Sequence, residues 1–128
     1  MNDLLYVCAP APLQMGVAAG ITELPDSFYQ QMAQDFRRKR DRFCAALTKA
    51  GLTPSVPQGA YYVLTDVSRI PGSTGKERAM TLLRQIGVGG VPGEAFMSGP
   101  DGARFLRFSY AKGEADVDEA CRRFGRLG

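Results

Sequence analysis

Apolar and small residues run without a charge through Leu13-Gln14-Met15-Gly16-Val17-Ala18-Ala19-Gly20-Ile21, so a helix over Leu13–Leu24 has no polar side to show to water. Such a helix has to be covered all round. Pro25-Asp26 then interrupts the pattern, and Asp26 suits the N-cap of a second helix. In that helix Phe28, Met32, Phe36, Phe43, Leu47 and Ala50 recur at spacings of 4, 4, 7, 4 and 3, and Gly51 is its natural stop.

Beyond Gly51 the period shortens. Ala60-Tyr61-Tyr62-Val63-Leu64-Thr65-Asp66-Val67, bounded by Gln58-Gly59 and Pro71-Gly72, is a strand by its β-branched and aromatic content. Thr74-x-x-Glu77 is a capping box opening a helix with Ala79, Leu82, Leu83 and Ile86 on one side, ended by Gly87. Val88–Val91 predicts a short strand and Arg104–Tyr110 a clearer one, and Val117, Ala120, Cys121, Phe124 and Leu127 mark an amphipathic final helix. The order helix, helix, strand, helix, strand, strand, helix predicts an α/β (α+β) layer, a small mixed or antiparallel sheet with helices mainly on one face.

Composition narrows the chemistry. The chain has 128 residues, 45% of them hydrophobic and 23% charged, enough apolar content for one domain core. It contains no histidine, which removes Ser/His and Cys/His nucleophiles, histidine bases and His-containing zinc sites. Cys8, Cys44 and Cys121 are scattered, so neither a disulfide framework nor a metal site is expected, and a reduced, cytoplasmic setting follows. Met1–Cys8 lacks the basic and apolar segments of a signal or membrane span. The net charge of +3 permits anionic ligands without requiring nucleic acid. The basic run Arg37-Arg38-Lys39-Arg40 with Arg42 has no interleaved aromatic platform and is diluted by Asp35 and Asp41, so it is a solvated helix face in preference to a nucleic-acid patch.

Arg107 is the most informative residue. In a strand it shares a face with Phe105 and Ser109 while Leu106 and Phe108 point the other way. Spacing leaves two readings open: a guanidinium in an apolar setting that needs an anion, either Asp66 or Glu94 or an external carboxylate or phosphate, and an edge-strand arginine whose head reaches water. Gly87-Val88-Gly89-Gly90-Val91-Pro92-Gly93 follows a helix and lacks a Gly-Lys-Ser/Thr ending, so it is a turn around a short strand before it is a phosphate loop. Asp66, Glu94 and Asp101 suit turn residues or arginine partners better than a catalytic pair. Tyr61 and Tyr62, on opposite faces of their strand, suit the core better than a ligand platform, and Lys39, Lys49, Lys76 and Lys112 fall in surface patterns where a solvated ammonium is expected.

Taken together, five segments resemble the C-terminal part of a pyridoxal-phosphate-dependent aminotransferase of class I/II, in the aspartate aminotransferase superfamily of fold type I. Cys8-Ala9-Pro10-Ala11-Pro12-Leu13-Gln14 resembles the Pro-x-x-x-Gln entry to an interdomain helix, and Lys39-Arg40-Asp41 a motif of the long helix that follows. Pro57-Gln58-Gly59-Ala60-Tyr61-Tyr62 through Asp66 resembles the family's P-x-G-a-[FY]-[FY] strand. Val91-Pro92-Gly93-Glu94-Ala95-Phe96 resembles its VPG-x-x-F loop, and Phe105-Leu106-Arg107-Phe108-Ser109-Tyr110-Ala111 its arginine strand. The branch with kynurenine and glutamine aminotransferases is the nearest in look.

The resemblance implies that Arg107 pairs with the α-carboxylate of an amino-acid or 2-oxoacid substrate and that Phe96 lines the substrate side. It implies residues 1–24 as an interdomain remnant and residues 25–128 as the small domain. The Schiff-base lysine and the other cofactor residues would lie in a large domain upstream of Met1, since none of the four lysines matches the family's lysine motif. The expectation is a piece of a homodimeric enzyme that uses pyridoxal 5'-phosphate when intact. By itself the piece would bind no cofactor or metal, carry no catalytic residue and be inactive, with neither nucleic acid nor membrane as partner. The competing expectations are a free-standing module that captures a small carboxylate without chemistry, and a purely structural or dimerising domain.

Overall fold

The computed structural model describes residues 9–127. The expectations for Met1–Cys8, including the reading of Cys8, lie outside the described residues. Compactness divides the chain into two units, residues up to Gln34 and residues from Asp35.

In the first unit, helix α1 spans Ala11–Glu23, with prolines at its start and an extended Leu24 at its end. None of its residues is buried, and Leu13, Met15, Val17 and Ile21 are each more than 60% exposed. Helix α2 spans Asp26–Lys49. Asp26 is not an N-cap outside the helix: it is the first helical residue, placed there because Pro25 supplies the carbonyl that accepts from the Phe28 amide at 2.9 Å. The predicted apolar stripe divides along the helix. Phe28 and Met32 are exposed, whereas Phe43, Leu47 and Ala50 are buried and Phe36 packs against the core.

From Asp35 onward the chain builds a four-stranded sheet, β1 (Thr53–Ser55), β2 (Tyr62–Asp66), β3 (Val91–Pro92) and β4 (Phe105–Ser109), with every neighbouring pair antiparallel in the order β1-β2-β4-β3. Strand β1 escapes sequence reading because three residues around Pro54 carry no alternation; as an edge strand it tolerates the missing amide. The strand expected at Val88–Val91 is shorter and later. Gly89 and Gly90 give it no side chains to pack, and only Val91 and Pro92 pair, opposite Arg107 and Leu106.

Helix α3 (Gly75–Ile86) has the predicted box: Thr74 Oγ1 accepts from the Glu77 amide at 3.1 Å, and the Glu77 carboxylate accepts from the Ser73 amide at 2.6 Å. Gly87, at φ 69°, closes it in the left-handed conformation with its amide on the Leu83 carbonyl. Helix α4 (Glu114–Phe124) is the last element of the described chain.

One face of the sheet carries the core. Val63, Thr65 and Val67 with Leu106, Phe108 and Tyr110 meet Phe43 and Leu47 of α2, Leu82 and Ile86 of α3, and Val117 and Phe124 of α4. Phe43, Phe108 and Phe124 meet edge-to-face or tilted, and Tyr110 reaches the Ala60 carbonyl with its hydroxyl at 2.9 Å. The basic run of α2 is a solvated face at Arg37, Arg38 and Arg42, which are exposed as expected, and it also ties the helix to its surroundings. Arg38 pairs with Asp35, Arg40 with Asp41 and the Pro57 carbonyl, and Arg42 with Glu114 and Asp118 of α4. Lys39, expected in water, is largely covered; it donates to the Lys112 carbonyl at 2.8 Å and lies 5.7 Å from the Phe36 ring centre. Among the described residues no helix is long and apolar enough to cross a membrane, and no cluster of acidic and sulfur side chains could hold a metal.

Candidate substrate-carboxylate site

The second face of the sheet has no helix in the core cluster over it. Tyr62 and Leu64 of β2 and Phe105 and Arg107 of β4 are half-buried there, alternating with core residues as the two-residue period requires. Arg107 is not on an edge: β4 lies between β2 and β3, and Arg107 is flanked in register by Leu64 and Val91. The edge-arginine reading therefore fails on topology.

The internal-carboxylate reading fails too. Asp66 is held by Arg104 at 2.6 Å and accepts from the Ser68 amide at 2.8 Å. Burial pushes the Asp66 carboxyl up, but the hydroxyl and amide of Ser68 and the Arg104 guanidinium outweigh it and hold the group below the usual aspartate value. Glu94 accepts from the Gly75 amide at 2.6 Å, across the start of α3. Among the described residues, no carboxylate lies within ion-pair reach of Arg107.

What surrounds the guanidinium is aromatic. Its carbon lies 4.4 Å from the centre of the Phe96 ring and 5.3 Å from that of Tyr62. Phe96 follows a short 3-10 turn, Gly93–Ala95, whose Gly93 carbonyl accepts from the amides of Phe96 and Met97 at 2.9 and 3.0 Å. That turn packs closely on a second one, Pro100–Arg104: a Cβ on Gly93 would come within 2.5 Å of the Gly102 carbonyl oxygen. Arg107 and Phe96, the two residues named from the sequence, thus come together. Tyr62 was missed as a neighbour of Arg107, and neither it nor Tyr61 is core; Tyr61 is 56% exposed and meets Tyr62 edge-to-face. The period-2 pattern placed Tyr62 on its face, but only the β2–β4 register sets it diagonal to Arg107.

A half-buried guanidinium among rings, with its charge unmatched, suits an incoming planar anion that it can grip with two parallel hydrogen bonds. The described residues do not supply a cradle for pyridoxal phosphate. Lys49, Lys76 and Lys112 are exposed, Lys39 is committed to the Lys112 carbonyl and to Glu114 at 3.7 Å, and the Gly87–Pro92 segment is a helix stop and an edge strand.

The class I and II aminotransferase family model matches residues 1–124, and the chain belongs to that family of pyridoxal-phosphate-dependent, fold type I transferases. It is 32% identical over 127 residues to a putative aminotransferase, YugH, of Bacillus subtilis, covering 99% of this chain and 32% of that protein. It is 30% identical over 134 residues to the kynurenine–oxoglutarate transaminase of Dictyostelium discoideum, across 87% of this chain and 30% of that one. Among solved structures, N-succinyldiaminopimelate aminotransferase from Mycobacterium tuberculosis superposes with a TM-score of 0.83 at 29% identity, over 98% of this chain and 33% of the other. The chain therefore spans about a third of the length of these relatives.

Proposed function

We propose that this chain is the substrate-carboxylate-binding small domain of an amino-acid aminotransferase, with Arg107 holding the α-carboxylate of an amino acid or 2-oxoacid. The observation that carries the reading is half-buried Arg107 in the middle of the sheet, its guanidinium beside two rings and, among the described residues, beside no carboxylate. A planar fork fixes a carboxylate in one orientation, so the amino group and α-hydrogen are presented in one place. Pyridoxal phosphate and the lysine that binds it belong, in this reading, to the part of the enzyme outside this chain, which is also where substrate side-chain preference is set. The chain by itself is inactive, and the intact enzyme is a dimer. A reading frame upstream of Met1 that carries a Ser/Thr-x-x-Lys motif supports the C-terminal placement, and the same motif downstream of Gly128 reverses it.

In the enzyme that contains this chain, Arg107→Ala is expected to cost about 3–5 kcal/mol in kcat/KM for amino acids, without rescue by lysine, because a point charge does not replace a bidentate fork. An unchanged kcat/KM refutes the assignment. Exposed apolar residues along α1 favour a piece of a larger protein over a free-standing module.

A further inference from the structure

Arg107 has to keep its planar fork aimed with no anion among the described residues to hold it. Resting on the carboxylate reading above, we propose that Phe96 and Tyr62 are positioning residues that together grip the Arg107 guanidinium and leave its N–H groups to the substrate carboxylate. Neither ring competes for those N–H groups, whereas an aspartate there would occupy them. The two rings come from different elements, Tyr62 from β2 and Phe96 from the 93–96 turn, at 5.3 and 4.4 Å from the guanidinium carbon.

Although the Phe96 ring itself is half exposed, the backbone of the turn that carries it is anchored at three points. Glu94 ties it to the first amide of α3, Gly93 packs on the Gly102 carbonyl, and the Gly93 carbonyl takes the Phe96 amide. Tyr62 is fixed by the ladder, opposite Ser109 and one diagonal step from Arg107. Leu64 and Val91 flank the arginine in register and provide no competing acceptor side chain. The attraction between a guanidinium and a ring face is modest and grows as water is removed, so its main effect is on where the fork points.

Two measurements separate this proposal from the reading beneath it. In the 128-residue chain, the guanidinium and Nε–H proton signals of Arg107, identified by their loss in Arg107→Lys, are expected upfield of those of the arginines other than Arg104, which lies over the Phe105 ring. Phe96→Leu moves them back toward the ordinary position, and Phe96→Tyr keeps them upfield. This signature depends on the rings alone, and its absence in the unsubstituted chain overturns the proposal.

In the enzyme that contains this chain, Phe96→Leu and Tyr62→Leu are each expected to raise KM for the amino acid about 3- to 10-fold, with kcat within about twofold. Combined with Arg107→Ala, either substitution adds nothing further, because the rings act through the arginine. If the single leucine variants leave KM unchanged while Arg107→Ala is damaging, or if the double variants are additive, the proposal is wrong. If Arg107→Ala itself changes nothing while the proton signature is present, the carboxylate reading fails and the grip stands.

Discussion

Phe124→Ala probes how the sheet face that carries Arg107 is supported from behind. Phe124 is fully buried on α4, with ring centres 5.5 Å from both Phe43 and Phe108 at interplanar angles of 89° and 88°. Phe108 is the strand neighbour of Arg107 and projects to the opposite face. Removing the ring deletes its transfer free energy, opens a cavity at the junction of α2, α4 and β4, and ends two edge-to-face contacts. Phenylalanine-to-alanine changes in cores cost about 3–5 kcal/mol, and edge-to-face pairs contribute about 0.5–1.5 kcal/mol each, which places this site at about 4–5 kcal/mol.

That is a large share of the roughly 5–15 kcal/mol that holds an ordinary domain folded. The assay is urea unfolding followed by circular dichroism at helical wavelengths, since the chain has no tryptophan to report by fluorescence. With a slope of about 1–3 kcal/mol per molar urea, the midpoint falls by about 1.3 M or more. Phe124→Leu keeps most of the volume and is expected to lose about 1–2 kcal/mol, which remains measurable if the alanine variant is unfolded in water. A loss below about 1.5 kcal/mol for alanine at unchanged slope refutes the reasoning, because the site would then collapse without cost.

Two further outcomes follow from polar groups. Thr65 is completely buried on the core face of β2, and its hydroxyl is without a hydrogen-bond partner. Thr65→Val, which keeps the shape and removes the orphan, is expected to stabilise the chain by up to about 1 kcal/mol in urea unfolding; a loss of that size shows that the hydroxyl is satisfied in solution. Glu119, between Arg122 and Arg123, is held down to about 2, and Glu114, beside Arg42, and Asp66 are also lowered. Each folded-state value lies below its unfolded one, so the stability these groups add is present above about pH 4.5 and is lost as pH falls below it, toward about 2 for Glu119. Urea midpoints across that range test this, with Asp66→Asn removing only its own share; a midpoint that is flat from pH 5 to about 2.5 refutes it.

Local signals in the chain were legible where one residue type carries one backbone demand. Thr74 and Glu77 mark the start of α3 and Gly87 its end, and the apolar spacing of Val117, Ala120 and Phe124 marks the buried side of α4. Both long strands appear within a residue or two of their predicted limits. Strand β1 and the true extent of β3 were not legible, because edge pairing around prolines and glycines is decided by the partner strand and leaves no alternation behind. The buried end of the α2 stripe could not be told from its exposed end, since Phe28, Met32, Phe43 and Leu47 read alike at helical spacing while only the latter two join the core of the sheet unit.

For the site, the sequence alone determined that Arg107 lies in a strand opposite a core face, and its motifs resembled one enzyme family, to which the chain proves to belong. What it left open was the identity of the neighbours. Asp66 and Glu94 were equally available partners on paper, and the tertiary structure assigned both elsewhere, to Arg104 and to the start of α3. The position of β4 between two strands and the register that sets Tyr62 diagonal to Arg107 are non-local pairings, as is the turn that brings Phe96 over the same guanidinium. Periodicity fixes which way a side chain faces within its own element; which groups it then meets depends on pairings between segments far apart in the chain, and only the folded backbone specifies those.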